Sequence, residues 1–205
     1  MALRGRQAEA ARNDEAIREA ARAVFLADPD APIAAVAERA GVGIGALYRR
    51  YKSKDELLQR LAADGLGRYV AELEAALADE GDPWEAFAAF MRRAVQARTS
   101  SITHRLAGRF TPTDELREQG RRAYELTQRL LHRTKAAGEL REDVEVTDLS
   151  LLFEQLRAVD VGAEERSREL RLRYLALLLD ALRMPHAEPL PGPPAAWGEL
   201  TGRYG

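Results

Sequence analysis

No segment of the chain alternates apolar and polar residues over five or more positions, whereas apolar residues at i, i+3, i+4 and i+7 recur from end to end. A period near 3.6 lines one face of a helix and cannot line one face of a strand. The pattern therefore predicts an all-α protein. Proline and glycine clusters cut it into helices over about 14–27, with Asp14 as N-cap, then from near Pro32 to Ala40, and from Gly43 or Ile44 to about Tyr51. A longer helix is expected from Ser53 to about Glu80, opened by Ser53 and Glu56 as a capping box, with Gly65 and Gly67 weakening its middle. Further helices are expected over about 83–100, 102–109, 112–137, 147–159 and 164–183. The proline- and glycine-rich tail from Pro185 reads as irregular. Residues 1–54, 55–184 and 185–205 thus form a small head, a helical body and a tail.

Charge separates the first two. Residues 1–54 carry ten basic and seven acidic side chains, a net of +3, against a net of −5 for the rest of a chain whose total is −2. A basic head on an acidic body suits a protein in which only the head meets a polyanion. The absence of cysteine excludes disulfides and thiolate metal sites and fits a reducing compartment. The most apolar run, Leu175 to Leu182, is too short to span a membrane and contains Asp180, so a cytoplasmic protein without a membrane partner is expected.

The sharpest local feature is AERAGVGIGALYRRYKSKDELL, residues 37–58. Gly41, Gly43 and Gly45 give G-x-G-x-G, but a dinucleotide cradle needs G-x-G-x-x-G after a strand, and a helix precedes these glycines. A helix-turn-helix meets the same residues better, since its two helices join through a short turn that often contains glycine. Ala37 is small where the helices cross, Gly41 serves the turn, and Val42 and Leu47 are apolar where the second helix packs back. Ile44, Gly45, Ala46, Tyr48 and Arg49 then face outward, Arg50, Lys52 and Lys54 lie near flanking phosphates, and Tyr51 belongs to the core.

Residues 17–58, IREAARAVFLADPDAPIAAVAERAGVGIGALYRRYKSKDELL, resemble the DNA-binding domain of the tetracycline-repressor (TetR/AcrR) family of bacterial transcription regulators. The resemblance rests on the lead-in ending in A-x-x-x-F, on A-x-x-A-G-V, and on L-Y-R-x-[FY]-x-[ST]-K-[DE]-x-L-L. It implies a homodimer that binds a palindromic double-stranded DNA operator through two helix-turn-helix heads and is released when a small-molecule ligand enters the body. By position, Ile44, Gly45 and Ala46 match base-contacting residues, Tyr48, Arg50 and Lys54 match phosphate contacts, and Arg49 falls where either is met. Gly43 and Ala46 replace the Ser and Thr common in the family, which removes two hydroxyls. With no Asn, Gln or Lys at 44–46, direct readout there is expected to be apolar, against thymine methyls, unless Arg49 reaches guanine. For Arg4, Arg6 and Arg12 two readings stay open, groove or phosphate contact and a solvated arm.

In the body, Leu152 and Leu156 on one helix and Leu175, Leu178, Leu179 and Leu182 on the last form apolar stripes, widened by Leu170, Leu172, Tyr174 and Leu177. A last helix apolar around most of its circumference suggests an intersubunit four-helix bundle. Aromatic residues make up 6% of the chain. Tyr69, Trp84, Phe87, Phe90, Phe110, Tyr124 and Phe153, with Met91, are candidates for an apolar ligand pocket, with His104, Arg105, Gln128 or Gln155 as polar anchors; packed core is the alternative. Three histidines without H-E-x-x-H spacing, no G-x-S-x-G elbow and no phosphate loop leave no catalytic residue, metal site or cofactor to name. The leading expectation is a DNA-binding regulator, not an enzyme. A regulator acting through protein contacts and a helical ligand-binding protein or enzyme with a vestigial helix-turn-helix remain alternatives.

Overall fold

The computed structural model describes residues 2–97, 109–185 and 188–201. Among these, the chain forms helices α1 (Ala2–Ala27), α2 (Ile33–Ala40), α3 (Ile44–Arg50), α4 (Lys54–Ala78), α5 (Pro83–Ala97), α6 (Asp114–Ala136), α7 (Val146–Arg157), α8 (Glu164–Leu182) and α9 (Trp197–Thr201). The architecture is all-α, and among the described residues no helix is long and apolar enough to cross a membrane. The helix expected near 102–109 and the residues His104, Arg105 and His186 lie outside the described residues, as do the side chains of Arg4 and Arg6.

Local chemistry explains most boundaries. Ser53 Oγ accepts from the Glu56 amide at 3.1 Å and starts α4, while the Glu56 carboxylate reaches back to the Lys52 amide at 2.7 Å. Thr113 caps α6 in the same way, accepting from the Leu116 amide at 3.2 Å. Two helices end on glycines in the left-handed region. Gly41, at φ 67°, donates to Glu38 O and the next amide, Val42, to Ala37 O, a Schellman closure of α2. Gly138, at φ 74°, repeats it for α6, with Gly138 bonding Lys135 O and Glu139 bonding Thr134 O.

Two expectations need correction. Asp14 is not an N-cap but lies inside α1, which continues back to Ala2. The tail is not wholly irregular. It forms α9, buries Leu200, and sets Trp197 edge-on to Tyr124 of α6, with ring centroids 4.8 Å apart. Its upstream stretch is tied to the body by the Leu190 amide, which donates to Asp143 at 2.6 Å, and by the Glu188 carbonyl, which accepts from Arg141 at 3.2 Å.

Two apolar cores form. The head core gathers Ile17, Ala21 and Phe25 of α1, Ile33 and Val36 of α2, Leu47 and Tyr51 at α3, and Leu57, Leu58 and Leu61 from the first two turns of α4. The body core begins at Leu73 of the same helix and takes in Phe87, Phe90 and Met91 of α5, Leu130 of α6, Phe153 of α7 and Leu175 of α8. α4 therefore belongs to both, and it runs along α6, its largest partner in the body. Covering an apolar side chain of this size is worth about 1.5–3 kcal/mol. Displacing α4 therefore cannot leave either core undisturbed.

Candidate nucleic-acid interface

α3 is seven residues long, too short to hold itself. Its fold is set by Leu47, fully buried against α1 and α2, and by Tyr51, whose ring is buried and whose hydroxyl donates to Asp14 of α1 at 2.8 Å. With that face fixed, the helical period turns Ile44, Gly45, Tyr48 and Arg49 outward, while Ala46 is half-buried at the edge. Ile44 and Tyr48 keep 44% and 47% of their surface exposed, unusual for large apolar side chains of a small head. Lys52 is exposed beside them. Ile44, Gly45, Tyr48, Arg49, Arg50 and Lys52 are thus all exposed on α3 and just after it.

Two of the expected phosphate contacts are already engaged within the chain. Lys54 Nζ donates to Ala31 O at 2.8 Å, lies 3.4 Å from Pro29 O, and sits 5.2 Å from the centre of the Phe25 ring. It ties the start of α4 to the α1–α2 loop. Arg50 forms a side-on fork with Asp14, Nε to Oδ1 at 2.6 Å and Nη2 to Oδ2 at 3.1 Å. Burial raises the Asp14 pKa, but hydrogen bonds from Arg50 and Tyr51 and the charges of Arg50 and Arg18 outweigh it and hold the carboxyl below its ordinary value. Burial, then the bond to Asp14, pushes the Tyr51 hydroxyl up. Arg18 lies 3.8 Å from Asp14 and 3.5 Å from Asp64 of α4, which also faces Arg22 and Arg60 at 3.6 and 3.3 Å. A line of charges thus runs from the end of α3 across α1 to α4. Sequence reading missed Asp14 because its partners stand 36 and 37 positions away, and a single sequence carries no pairing signal over that distance.

A second junction joins body and head through the segment before α6. Arg109 pairs with Asp30 in the α1–α2 loop, Thr111 O accepts from Gln59 Nε2 at 2.8 Å, and Phe110 packs against the head core. Phe110 is therefore corrected from a pocket residue to a head residue, because the chain crosses from one core to the other at this point.

The remaining pocket candidates divide. Trp84, Phe87, Phe90, Met91 and Phe153 are buried in one cluster, with Tyr69 edge-on to Phe90 and Phe153 at centroid distances of 5.4 and 6.4 Å. The Tyr69 hydroxyl lies 3.4 Å from Thr127 Oγ1, and burial pushes its pKa up to about 12, so it stays a neutral hydrogen-bonding group. Tyr124 is half-buried beneath Trp197. Gln128 is corrected: it is exposed, because the buried stripe of α6 runs through Ala123, Leu126, Thr127, Leu130 and Leu131, and the next residue after Thr127 points away.

The last stripe is also redrawn. Leu156, Leu175, Leu179 and Leu182 are buried within the chain, α8 lying against α5 and α7, so Leu175, Leu179 and Leu182 do not form the outer face. Leu152 and Leu178 are half-buried against the same core. One step around α8, Tyr174 and Leu177 are 46% and 60% exposed. With Leu178 of α8 and Gln155, Leu156 and Val159 at α7, they line an open apolar groove of about 390 Å³. Gln155, expected as a pocket anchor, lies on this groove instead.

The comparisons with known proteins cover both halves. Residues 17–61 match the family model for bacterial regulatory proteins of the tetR family, and residues 82–184 match that for the C-terminal domain of SbtR-like transcriptional regulators. A TetR transcriptional regulator from Streptomyces coelicolor is 28% identical, with 84% of this chain and 99% of that one covered at a TM-score of 0.58. A TetR regulatory protein from Mycobacterium vanbaalenii is also 28% identical, covering 87% and 99% at 0.58. A regulator of the same family from Rhodococcus RHA1, 18% identical, shares the fold at 0.66 over 85% and 98%. A comparison with curated proteins returns no match. The outward face of α3 is thus carried on a head and a body that each match the same kind of regulator, and the chain belongs to the TetR family of bacterial DNA-binding transcription regulators.

Proposed function

We propose that this regulator is a homodimeric repressor that binds a palindromic operator through α3 of each protomer and leaves it when a small molecule enters the body. The observation that carries this reading is α4, whose first turns complete the head core and whose later turns complete the body core. A ligand that prefers a body with α4 displaced must then prefer a displaced head as well. By linkage, ligand and DNA weaken each other's binding by the same factor. The contacts at Arg109, Phe110 and Thr111 give the body a second hold on the head. Two heads read one palindrome only while their spacing matches successive major grooves, about 34–36 Å apart.

A second copy of the chain is the occupant proposed for the α7–α8 groove. Exposed Tyr174 and Leu177 beside half-buried Leu178 form an apolar strip that a symmetry-related α8 would cover, giving the four-helix arrangement. The ligand is assigned to the aromatic interior around Tyr69, Phe90 and Phe153, where the Tyr69 and Thr127 hydroxyls offer polar anchors. At the DNA, Ile44 and Ala46 offer apolar contact, Arg49 reaches for a base edge or phosphate, and Tyr48 and Lys52 bind backbone.

The test is a salt titration of binding to DNA flanking the chain's own gene, by mobility shift and footprinting beside a scrambled duplex. The reading requires a protected palindrome, bound as a dimer, with affinity falling steeply with salt. Equal and weak binding to both duplexes, repeated with sites selected from a random pool, would favour action through protein contacts and give weight to the hydroxyls missing at Gly43 and Ala46.

A further inference from the structure

We infer that Asp14 is a positioning residue for DNA binding: it holds the Arg50 guanidinium in a fixed outward pose at the end of α3, ready to take a phosphate on its free edge. The inference rests on the DNA-binding reading above and adds to it a residue of α1 outside the helix-turn-helix.

The fork uses only one side of the guanidinium. Nε and Nη2 are given to Asp14, while Nη1 makes no hydrogen bond among the described residues and the side chain remains 56% exposed. The carboxylate is the opposite in every respect. Its side chain is only 13% exposed, its Oδ1 also accepts from the buried Tyr51 hydroxyl, and Arg18 stands behind it, braced by Asp64 of α4. The Arg50 guanidinium carbon also lies 5.4 Å from the centre of the Tyr51 ring. Carboxylate and ring together limit the rotamers open to a long side chain that would otherwise be ordered only on binding. An arginine fork suits this duty, because one edge can be held by a carboxylate while another meets a phosphate; a lysine offers a single point charge. Fold stability does not account for the arrangement by itself, since a pair whose cation is this exposed contributes little to it.

The probe is the tightest palindromic duplex that the wild-type chain selects from a random-sequence pool, and Kd is measured at several salt concentrations. Four proteins are compared: wild type, Asp14→Asn, Arg50→Ala and the double variant, with thermal melting to establish that each is folded. Asp14→Asn should weaken binding roughly three- to tenfold, the loss expected when one long side chain must be ordered on association. In the Arg50→Ala background the same change should have little effect, the signature of a shared interaction. Arg50→Ala should also flatten the salt slope by about one phosphate contact. Tighter binding by Asp14→Asn would mean that the carboxylate competes with phosphate, and equal weakening with and without Arg50 would mean that it acts through α3 packing; either overturns the inference, as does unchanged affinity. Should Asp14→Asn fail to fold, Arg50→Lys, which keeps the charge and loses the fork, should weaken binding as Asp14→Asn would, and wild-type affinity would overturn the inference. If the wild-type chain selects no duplex, the DNA-binding reading itself fails and this inference falls with it, whereas selection by wild type with indifferent variants removes only the role of Asp14.

Discussion

α3 and α5 show how differently the head and the body use a helix. α3 gives one fully buried side chain, Leu47, to the head core and turns Ile44, Gly45, Tyr48, Arg49 and Arg50 outward. α5 is covered along nearly its whole length, exposing only Glu85, Arg92 and its last two residues, Gln96 and Ala97. The head therefore carries its function on a surface, positioned by a small core and reinforced by polar links: Asp14 to Arg50 and Tyr51, Asp64 to three arginines, and Lys54 to two backbone carbonyls. The ligand site proposed for the body lies inside instead, among Tyr69, Phe90 and Phe153, whose rings pack edge-on within the core. A surface site tolerates substitution without loss of fold, whereas an interior one does not. Mutational effects should separate the two regions accordingly.

The largest expected effect is in the body. Phe90→Ala removes a fully buried ring in contact with Tyr69 and should cost about 3–5 kcal/mol, read as a fall in urea or thermal midpoint; a loss below about 1 kcal/mol would show that the interior is looser than its burial indicates. Two leucines on α8 sharpen the contrast within one helix. Leu179→Ala should cost about 2–5 kcal/mol of protomer stability. Leu177→Glu, at an exposed position, should leave the protomer folded and weaken self-association by at least about tenfold in sedimentation equilibrium, since a charge is buried without a partner. Reversal of those two outcomes would restore the original stripe as the subunit interface.

In the head, Gly41→Ala meets no steric obstacle, so its cost should be backbone strain alone, about 1–2 kcal/mol at φ 67°, accompanied by loss of DNA binding in proportion to the unfolded head. Arg49→Ala should leave stability unchanged and lower the salt slope of operator binding by about 1. Acid sensitivity is the smallest effect. The Asp14 pKa is depressed in the folded head, so the contribution of its ion pairs is fully present above the unfolded value of 3.8 and is lost as pH falls through the lower folded value. Wild type should lose this increment on acidification below about pH 4, and Asp14→Asn should not; parallel acid titrations of the two would argue that Asp14 is not linked to folding.

The sequence made the head legible because its information is local. Gly41, Leu47 and Tyr51 sit within a few residues of the surface they orient, and helical period alone then assigns Ile44, Tyr48 and Arg49 to the outside. The same reasoning did not reach the intrachain partners of Arg50 and Lys54. Their charge and spacing suit phosphate, but their closest partners come from α1 and the α1–α2 loop. On α8, leucines at successive positions left two stripes equally apolar, and nothing in the order of residues said which would meet α5 and which would stay exposed.

What this sequence determined by itself is therefore the helices α2 to α8, the caps at Gly41 and Ser53 and the outward face of α3, because hydrogen bonds and side-chain period act over one to four residues. Tertiary structure decided that Asp14 meets Arg50, that Phe110 belongs to the head, that Gln128 faces solvent, and that Tyr174 and Leu177, and not Leu175 and Leu179, line the outer face of α8. The rotation of each helix about its own axis is fixed by the neighbours that cover it, and those neighbours lie tens of residues away in the chain.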